Sequence, residues 1–287
     1  GAFLYAAYFN KKTIWPLLIT SAISLALVNL ADWYYSAVFL LLLAPTIFFR
    51  KKIEYSLIFI YSMLGAILCS FFLLQVYLNY DSDILTYAGV LSVALICLFG
   101  IFGILENNIK KYLIYSNFVQ LTFVFLDLSV AELTGKIATL GVIQIFNYVF
   151  AGVLLFITIG VLIKENKYEK LSDLRGLYYQ DKPTGTFAII AAMSLAGVPG
   201  LNIFISEWLL FKASFGINPA ITILGIFAAL ILFIMYFKII YIILAGEPQK
   251  KLASPFILKA YNGILAIICL VFGLLPFIQI NILESLF

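Results

Sequence analysis

About nine stretches of roughly 20 mainly apolar residues follow one another along this chain, and they constrain its fold more than any other feature. Segments of that length cross a bilayer as α-helices, because a helix satisfies its own backbone hydrogen bonds in lipid. The 287 residues are 64% hydrophobic and 11% charged, whereas a soluble domain carries about 25% charged residues. The sequence therefore predicts an all-α, polytopic transmembrane helix bundle. The predicted spans are roughly 13–30, 33–49, 55–79, 84–105, 112–130, 138–163, 184–214, 219–245 and 257–283.

Basic residues lie in every second loop, and this distribution predicts the orientation of the spans. Lysine and arginine are retained on the negative side of a membrane, so the N-terminus faces the matrix or cytoplasm and the C-terminus faces the other side. The opposite loops carry Asp32, Asp81, Asp83 and Glu132, with Lys136 as their one basic residue. The basic loops carry Lys11, Lys12, Arg50, Lys51, Lys52, Lys110, Lys111, Lys164, Lys167, Lys170, Arg175, Lys182, Lys250, Lys251 and Lys259.

The composition argues against several kinds of site. The chain has no histidine, the residue that most often binds metals or relays protons near neutral pH. The three cysteines are isolated within spans and are expected to be small buried side chains: Cys69, Cys97 and Cys269. No two of them have the spacing of a zinc or iron–sulfur ligand pair. No glycine-rich nucleotide loop occurs, and the net charge of +4 resides in short loops, which does not indicate nucleic-acid binding. We expect no cofactor or metal bound by this chain.

Glu207 is a lone carboxylate within an apolar span, about two turns after an interruption of the helix pattern. Gly197, Pro199 and Gly200 form that interruption. An ionisable group at mid-bilayer costs about 2.5 kcal/mol or more and usually marks an ion or proton path. Broken helices at this depth require protein or a water cavity to cover the freed backbone. Glu207 is predicted either to carry protons or to be a buried carboxylate retained for structure.

Three other ionisable residues fall within predicted spans. Asp127 lies near the outer end of its span and is expected to be solvated. Lys212 lies near a span end, from which its side chain could reach the interface. Lys238 lies roughly 10 Å from the inner end of its span, so it could reach the interface or face a polar axis. Lys212 and Lys238 are predicted to provide the positive charge that tunes proton binding by Glu207.

Uncharged polar residues on two further spans could continue a proton path. Gln144 and Asn147 are three residues apart on one helix face, and Tyr148 follows them. Such residues either line water or hold helices together by hydrogen bonds. The preceding span carries a similar series and has two lysines at its inner end. These residues are Lys110, Lys111, Ser116, Asn117, Gln120 and Thr122.

Several of these segments together resemble the antiporter-like subunits of respiratory complex I, and their relatives in cation/proton antiporters and membrane-bound hydrogenases. In that family the central segment contains a broken helix that carries a lysine or glutamate at the position of Glu207. The resemblance is strongest to the chain 2 type, which is called subunit N in bacteria, and residues 146–150 and 211–214 carry it. Residues 198–200 together with Glu207 resemble chain 4 as well. The matching segments are 108–117, with Lys110 and Lys111 as the basic pair, 171–177, 182–183, 193–208, 236–241 and 247–248.

The resemblance implies three regions. Residues 84–250 would form a five-helix repeat whose next-to-last helix is broken, 251–287 a C-terminal span, and 1–83 a partial N-terminal region of three spans. The family's first-half glutamate and its second, lysine-bearing broken helix have no counterpart before Lys110. The missing helices are therefore either deleted or supplied by another chain. Tyr148 or Gly152 stands where the family usually has a lysine or histidine.

The function implied by the resemblance is that of a proton-translocating membrane-arm subunit of NADH:ubiquinone oxidoreductase. The chain would be part of an enzyme without holding a complete active site, and flavin, iron–sulfur clusters and quinone would belong to other subunits. Its partners would be other membrane-arm subunits and lipids. Alternatives are a non-pumping structural subunit of the same arm, or a cation/proton antiporter or hydrogenase subunit. The Ile-, Phe-, Tyr-, Asn- and Lys-rich composition favours an AT-rich mitochondrial genome and thus the mitochondrial inner membrane, with a prokaryotic plasma membrane as the alternative.

Overall fold

The chain divides into two compact units, Gly1–Asn79 and Tyr80–Phe287. The computed structural model describes residues 82–134, 137–217, 219–246 and 254–284, all of them in the second unit. The three predicted spans before residue 80 lie outside the described residues, so the total of nine spans stays a prediction.

The described residues form a bundle of α-helices, as the apolar pattern predicts. The six predicted spans after residue 80 correspond to α1, α2, α3, α5 with α6, α7, and α8 with α9. A short 3-10 helix, Leu171–Leu174, and the one-turn α4 lie between α3 and α5. The helices are α1 (Ser82–Leu105), α2 (Ile109–Thr134), α3 (Ile137–Asn166), α4 (Leu177–Gln180), α5 (Lys182–Leu195), α6 (Asn202–Ile217), α7 (Pro219–Leu244), α8 (Phe256–Leu274) and α9 (Pro276–Glu284).

The helices differ in how much of their apolar surface other helices cover. Leu140–Ile163 of α3 is long and apolar enough to cross a membrane and is 83% buried, so α3 occupies the centre of the bundle. The similarly apolar α7 and α8 are only 39% and 28% buried. Their exposed faces carry large apolar side chains such as Phe227, Phe237 and Ile267. Apolar surface of this kind suits contact with lipid or with other membrane subunits. The chain is therefore a multi-pass membrane protein.

Close contact between α1 and α7 depends on small residues. A Cβ atom added to Gly100 would lie 2.5 Å from Cγ2 of Ile231, and one added to Gly103 would lie 2.5 Å from Cε of Met235. Small residues allow membrane helices to approach closely, which increases their van der Waals contact. This packing holds α7 beside the first helix of the described unit.

The interruption predicted within 184–214 separates α5 from α6. Gly197 has a left-handed conformation (φ +67°), its N–H donates to Ser194 O at 3.0 Å, and the Val198 N–H donates to Met193 O at 3.1 Å. This pair of bonds is a Schellman motif, which satisfies carbonyls at a helix end. Gly200 is also left-handed (φ +91°), and α6 begins two residues later. Glycine adopts these angles without the cost that other residues meet there.

A second interruption divides the ninth predicted span at Pro276. α8 ends at Leu274, and α9 begins at Pro276. Proline lacks the N–H that would bond Phe272 O, four residues earlier, and the side-chain Nε2 of Gln279 donates to that carbonyl instead, at 3.0 Å. The two interruptions are in contact: a Cβ added to Gly273 would lie 2.5 Å from the carbonyl carbon of Gly200.

Candidate functional site

Glu207 lies on α6 and is only 5% exposed. Its carboxylate is packed against Gly197 at the interruption, where an added Cβ would overlap Oε2 and lie 2.9 Å from Cδ. The glycine therefore has two roles, since it permits the left-handed turn and leaves room for the carboxylate. The chain brings its buried acid directly to the broken end of α5, although ten residues separate the two in sequence.

A hydrogen-bonded set of buried polar side chains, which we call the polar network, surrounds the interruption. Its members come from α2, α3, α5, α6 and α7, and each is at most 1% exposed. Buried polar groups are costly unless they are hydrogen-bonded, so such a set is built only where the fold needs it. The polar network consists of Ser116, Gln120, Gln144, Asn147, Ser194, Asn202, Ser206 and Tyr236.

One part of the polar network covers the end of α5. Gln120 Nε2 donates to Leu195 O at 2.9 Å and to Tyr236 Oη at 3.4 Å. The tyrosine hydroxyl in turn lies 2.6 Å from Ser116 Oγ. Leu195 is the last residue of α5, so its own helix provides no N–H group to donate to its carbonyl. Gln120 thus supplies the protein cover that a broken helix needs at membrane depth.

The rest of the polar network connects α3 to both halves of the broken span. Gln144 Nε2 donates to Gln120 Oε1 at 3.4 Å, and Gln144 Oε1 accepts from Ser206 Oγ. Asn147 Nδ2 lies 3.5 Å from the same serine oxygen, and Asn202 Nδ2 donates to Asn147 O at 2.9 Å. Asn147 Oδ1 has no hydrogen-bond partner in the described part of the chain. Its open acceptor could bind a water molecule.

The other predicted path residues are Tyr148, Lys110 and Lys111. Tyr148 is buried, and its hydroxyl donates to Asn117 Oδ1 at 2.5 Å. Lys110 and Lys111 lie in the first turn of α2, with the first half-buried and the second exposed. About 15 Å of helix separates Lys110 from Gln120. Their predicted role in a proton path stays a prediction.

Neither predicted lysine forms a salt bridge with Glu207 in the described residues. Lys212 is exposed on α6, as expected for a side chain that reaches the interface. Lys238 Nζ donates to Ile104 O at 2.7 Å and to the backbone carbonyl of Glu106 at 2.6 Å. A lysine at the C-terminal end of a helix compensates its dipole and its unpaired carbonyls. Lys238 therefore stabilises the end of α1, and its predicted role in tuning Glu207 remains untested.

The expectation that Asp127 is solvated is wrong. Asp127 is 1% exposed and its Oδ1 has no hydrogen-bond partner among the described residues. Both Asp127 and Tyr236 lie close enough to Glu207 to interact with it electrostatically. The position of Asp127 near the end of its span suggested that water would reach its carboxylate, but neighbouring helices cover the side chain. The seven-residue spacing from Gln120, which places both on one helix face, was the signal that could have identified it.

An acidic residue outside the spans joins the first half of the broken span to α8. Asp181 precedes α5, accepts hydrogen bonds from Thr184 Oγ1 at 2.9 Å and Ser254 Oγ at 2.8 Å, and forms a salt bridge with Lys259 Nζ at 3.0 Å. Burial disfavours its charged form, but the hydrogen bonds from Ser254, Lys259 and Thr184 outweigh this and lower the pKa of Asp181. This cluster anchors α5 at its inner end.

Sequence comparison finds relatives among subunits of several membrane complexes. The chain is 29% identical over 191 residues to F(420)H(2) dehydrogenase subunit L of Methanosarcina mazei, covering 61% of this chain and 28% of that protein. It is 24% identical over 206 residues to NADH-quinone oxidoreductase subunit N of Bacillus anthracis, covering 70% and 40%. It is 27% identical over 204 residues to part of a probable K(+)/H(+) antiporter of Rhizobium meliloti, covering 66% and 20%. The chain thus spans at most 40% of the length of these relatives.

Solved structures share the fold. A chain of the archaeal membrane-bound sulfane sulfur reductase matches with a TM-score of 0.67 at 23% identity, covering 78% of this chain and 40% of that chain. A chain of the Mrp complex from Dietzia sp. matches with a TM-score of 0.62 at 17% identity, covering 80% and 50%. A chain of respiratory complex I from Thermus thermophilus matches with a TM-score of 0.59 at 18% identity, covering 92% and 74%.

The family comparison covers most of the described helices. The transmembrane family described as NADH:quinone oxidoreductase/Mrp antiporter matches residues 45–235, which include both halves of the broken span and most of the polar network. Because this match extends over well more than half of the chain, the protein belongs to the NADH:quinone oxidoreductase/Mrp antiporter transmembrane family.

Proposed function

We propose that this chain is a proton-translocating membrane-arm subunit of an NADH:quinone oxidoreductase. The observation that carries the proposal is the position of Glu207, a buried acid packed against the broken end of α5 beside a continuous polar network. An ionisable residue inside a membrane is costly and is retained mainly on ion and proton paths. The relatives named subunit N support this assignment over the other members of the family.

Proton transfer through this site requires Glu207 to bind and release a proton. Amides and hydroxyls of the polar network can orient water beside the carboxylate, because each can both donate and accept hydrogen bonds. A charge that appears or moves in a neighbouring subunit would change the proton affinity of Glu207, at about 1.36 kcal/mol per pKa unit. Redox energy released elsewhere would thereby be converted into proton movement.

The redox chemistry belongs to other subunits in this proposal. This chain would be part of an enzyme without holding a complete active site, and flavin, iron–sulfur clusters and quinone would be bound elsewhere. Its partners would be other membrane-arm subunits, including a separate chain if one supplies the missing first-half helices. The subunit N relatives support the chain 2 type. Both the mitochondrial inner membrane and the prokaryotic plasma membrane fit this function, and the bacterial relatives support the second.

The test is Glu207→Gln in the intact complex, which keeps the side-chain size and removes the ionisable group. We expect the number of protons released per electron to fall, and NADH-driven quinone reduction to slow tenfold or more if the two are tightly coupled. Quenching of a pH-sensitive dye in inverted membrane vesicles measures proton movement. Trp208→Phe is the matched control, because Trp208 is the next residue of α6 and its side chain is exposed. An unchanged proton-to-electron ratio in Glu207→Gln would reject the pumping role.

A structural, non-pumping subunit of the same arm is the second candidate. It is favoured by the lack of a salt bridge between Glu207 and any lysine or arginine in the described residues. The same Glu207→Gln experiment separates the two, since a structural subunit would tolerate the change if the complex still assembles.

A cation/proton antiporter subunit is the third candidate, supported by the antiporter relative and by the Mrp complex match. A membrane-bound hydrogenase subunit is a fourth candidate within the same family. Proton flux driven by a K⁺ or Na⁺ gradient in the absence of NADH would favour the antiporter function. Its absence, with NADH-driven flux present, would favour the complex I assignment.

A further inference from the structure

We propose that Asp127 is a second proton-carrying carboxylate, which receives protons from Glu207 and passes them toward the outer face. This inference rests on the proposed function and extends it to a residue outside the broken span. It follows from the depth of Asp127 in the membrane, the helix junction beside it, its unpaired oxygen and the hydroxyl pair beyond it.

Asp127 lies closer to the outer face than Glu207 does. α2 runs outward from its lysine-bearing first turn, and Asp127 is seven residues before its last residue, Thr134, which corresponds to about 10 Å along the helix. α6 also runs outward, and Glu207 is ten residues before its last residue, Ile217, which corresponds to about 15 Å. A proton that moves from Glu207 to Asp127 therefore moves outward.

The helices that carry these acids meet at a junction on α7. A Cβ added to Gly225 would lie 3.1 Å from Cε1 of Phe211 and 3.9 Å from Cδ2 of Leu126. Phe211 is one turn after Glu207 on α6, and Leu126 directly precedes Asp127 on α2. The small residue on α7 thus lets α2 and α6 both pack closely against α7 at this level. Asp127 and Glu207, on these two helices, are within electrostatic range of each other.

The described residues leave the Asp127 carboxylate incompletely hydrogen-bonded, so a bound proton or a water molecule would be needed to satisfy it. Oδ1 is buried without a hydrogen-bond partner, and no lysine or arginine in the described ranges forms a salt bridge with it. Two buried carboxylates within electrostatic range of each other disfavour simultaneous ionisation. Release of a proton by one acid consequently favours its retention by the other. Such a pair passes one proton between two positions: Glu207 loses it, Asp127 gains it, and no other bond changes.

Buried hydroxyls continue from this pair toward the outer end of the bundle. Ser214 is seven residues after Glu207, so both lie on the same face of α6. Its Oγ lies 2.7 Å from Oγ1 of Thr222 near the start of α7, and both residues are buried. Hydroxyl groups can donate and accept at once. The pair is placed to orient water between Asp127 and the outer surface.

The experiment compares Asp127→Asn, Asp127→Glu and Glu207→Gln in the intact complex in inverted vesicles, with NADH as the electron donor. We expect Asp127→Asn to reduce proton release per unit time tenfold or more, and Asp127→Glu to stay within about threefold of the unmodified complex. Added formate, a small weak acid, should partly restore proton release in Asp127→Asn by carrying the proton itself. Thr158→Val is the matched control, because Thr158 is a buried polar residue of α3 whose hydroxyl donates within its own helix, to Leu154 O.

The outcomes separate this inference from the proposed function. If Glu207→Gln stops proton release but an assembled Asp127→Asn complex pumps normally, the role of Asp127 is rejected and the proposed function stands. If Glu207→Gln itself has no effect, the proposed function fails. If the Asp127→Asn complex does not assemble, infrared difference spectra of the unmodified and Asp127→Glu complexes are compared during turnover. A carboxyl band that appears on turnover and differs in frequency between the two complexes supports the role of Asp127. Identical spectra overturn it.

Discussion

The two interrupted spans of the described unit touch each other, yet they are built differently. Between α5 and α6 the chain turns through two left-handed glycines, and polar side chains on α2, α3 and α7 surround the gap. Between α8 and α9 a single proline stops the helix, and Gln279 of the same span bonds the carbonyl that the proline leaves free. The first interruption combines a local turn with cover from neighbouring helices, whereas the free carbonyl of the second is bonded within its own span.

This difference explains why one interruption is a candidate site and the other is a structural bend. At the second break the free carbonyl is bonded within its own span, although Oε1 of the same Gln279 side chain has no hydrogen-bond partner among the described residues. At the first break a neighbouring helix bonds the last carbonyl of α5 through Gln120, and the further amides and hydroxyls of the polar network offer several groups that can exchange partners. The acid Glu207 lies at the break that other helices cover, and no aspartate, glutamate or lysine lies within one turn of Pro276.

The largest expected effect comes from Gly197→Ala, which tests whether the first break depends on the room left by glycine. The left-handed angle alone costs about 1–2 kcal/mol for alanine, and its Cβ would displace the Glu207 carboxylate. We expect proton release by the complex to fall at least tenfold, measured by dye quenching in vesicles. Gly216→Ala is the matched control, since a Cβ there meets nothing within 4 Å. Normal pumping by Gly197→Ala would show that the carboxylate does not need its place at the break.

An intermediate effect is expected at the second break. A double-mutant cycle there tests whether Gln279 satisfies the carbonyl of Phe272 that Pro276 leaves free. Gln279→Leu leaves Phe272 O without its partner and should reduce the free energy of unfolding by about 1–3 kcal/mol. In a Pro276→Ala background the backbone can bond that carbonyl, so the same change should cost less than about 0.5 kcal/mol. Denaturation of the chain in detergent micelles measures all four variants. Equal costs in both backgrounds would contradict the repair of the proline break by Gln279.

The smallest effect is expected from Asp181, which joins the two interrupted spans at their inner ends. Folding lowers the pKa of Asp181, so its charge stabilises the fold above the ordinary aspartate pKa of about 3.9, and this stability is lost as pH falls through the folded value. Asp181→Asn should therefore cost roughly 1 kcal/mol at neutral pH and nearly nothing near pH 2, measured by denaturation in micelles. A cost that does not change with pH would show that the charge contributes nothing.

Much of the candidate site could be predicted because its signals are local. The apolar spans, the interruption at Gly197–Gly200 and the acid Glu207 can each be read from a single segment, and the bend at Pro276 follows from the missing N–H of proline. The prediction for Asp127 failed for the opposite reason. Burial of a side chain near the end of a helix depends on which neighbouring helices cover it, and its own segment does not contain that information.

The lysines illustrate the same limit. Lys238 could be placed on the helix after the broken one, but its long side chain can point to either end of the membrane. Only the packing of α1 against α7, which Gly100 and Gly103 permit, shows that its Nζ reaches the carbonyls at the end of α1. The few ionisable residues within the spans suggested Lys238 as a positive charge that tunes Glu207, and the contacts place its Nζ at the end of α1.

The order of residues by itself determined that this protein is a membrane helix bundle with a broken span and one acid beside the break. Hydrophobicity, proline and glycine act over a few neighbouring residues, so their consequences can be read along the chain. The tertiary structure decided which polar side chains cover the break, that Asp127 is buried within electrostatic range of Glu207, and that Lys238 is not its ion-pair partner. Those contacts join residues up to 134 positions apart. Helix packing, which depends on side-chain shape across several helices at once, brings them together.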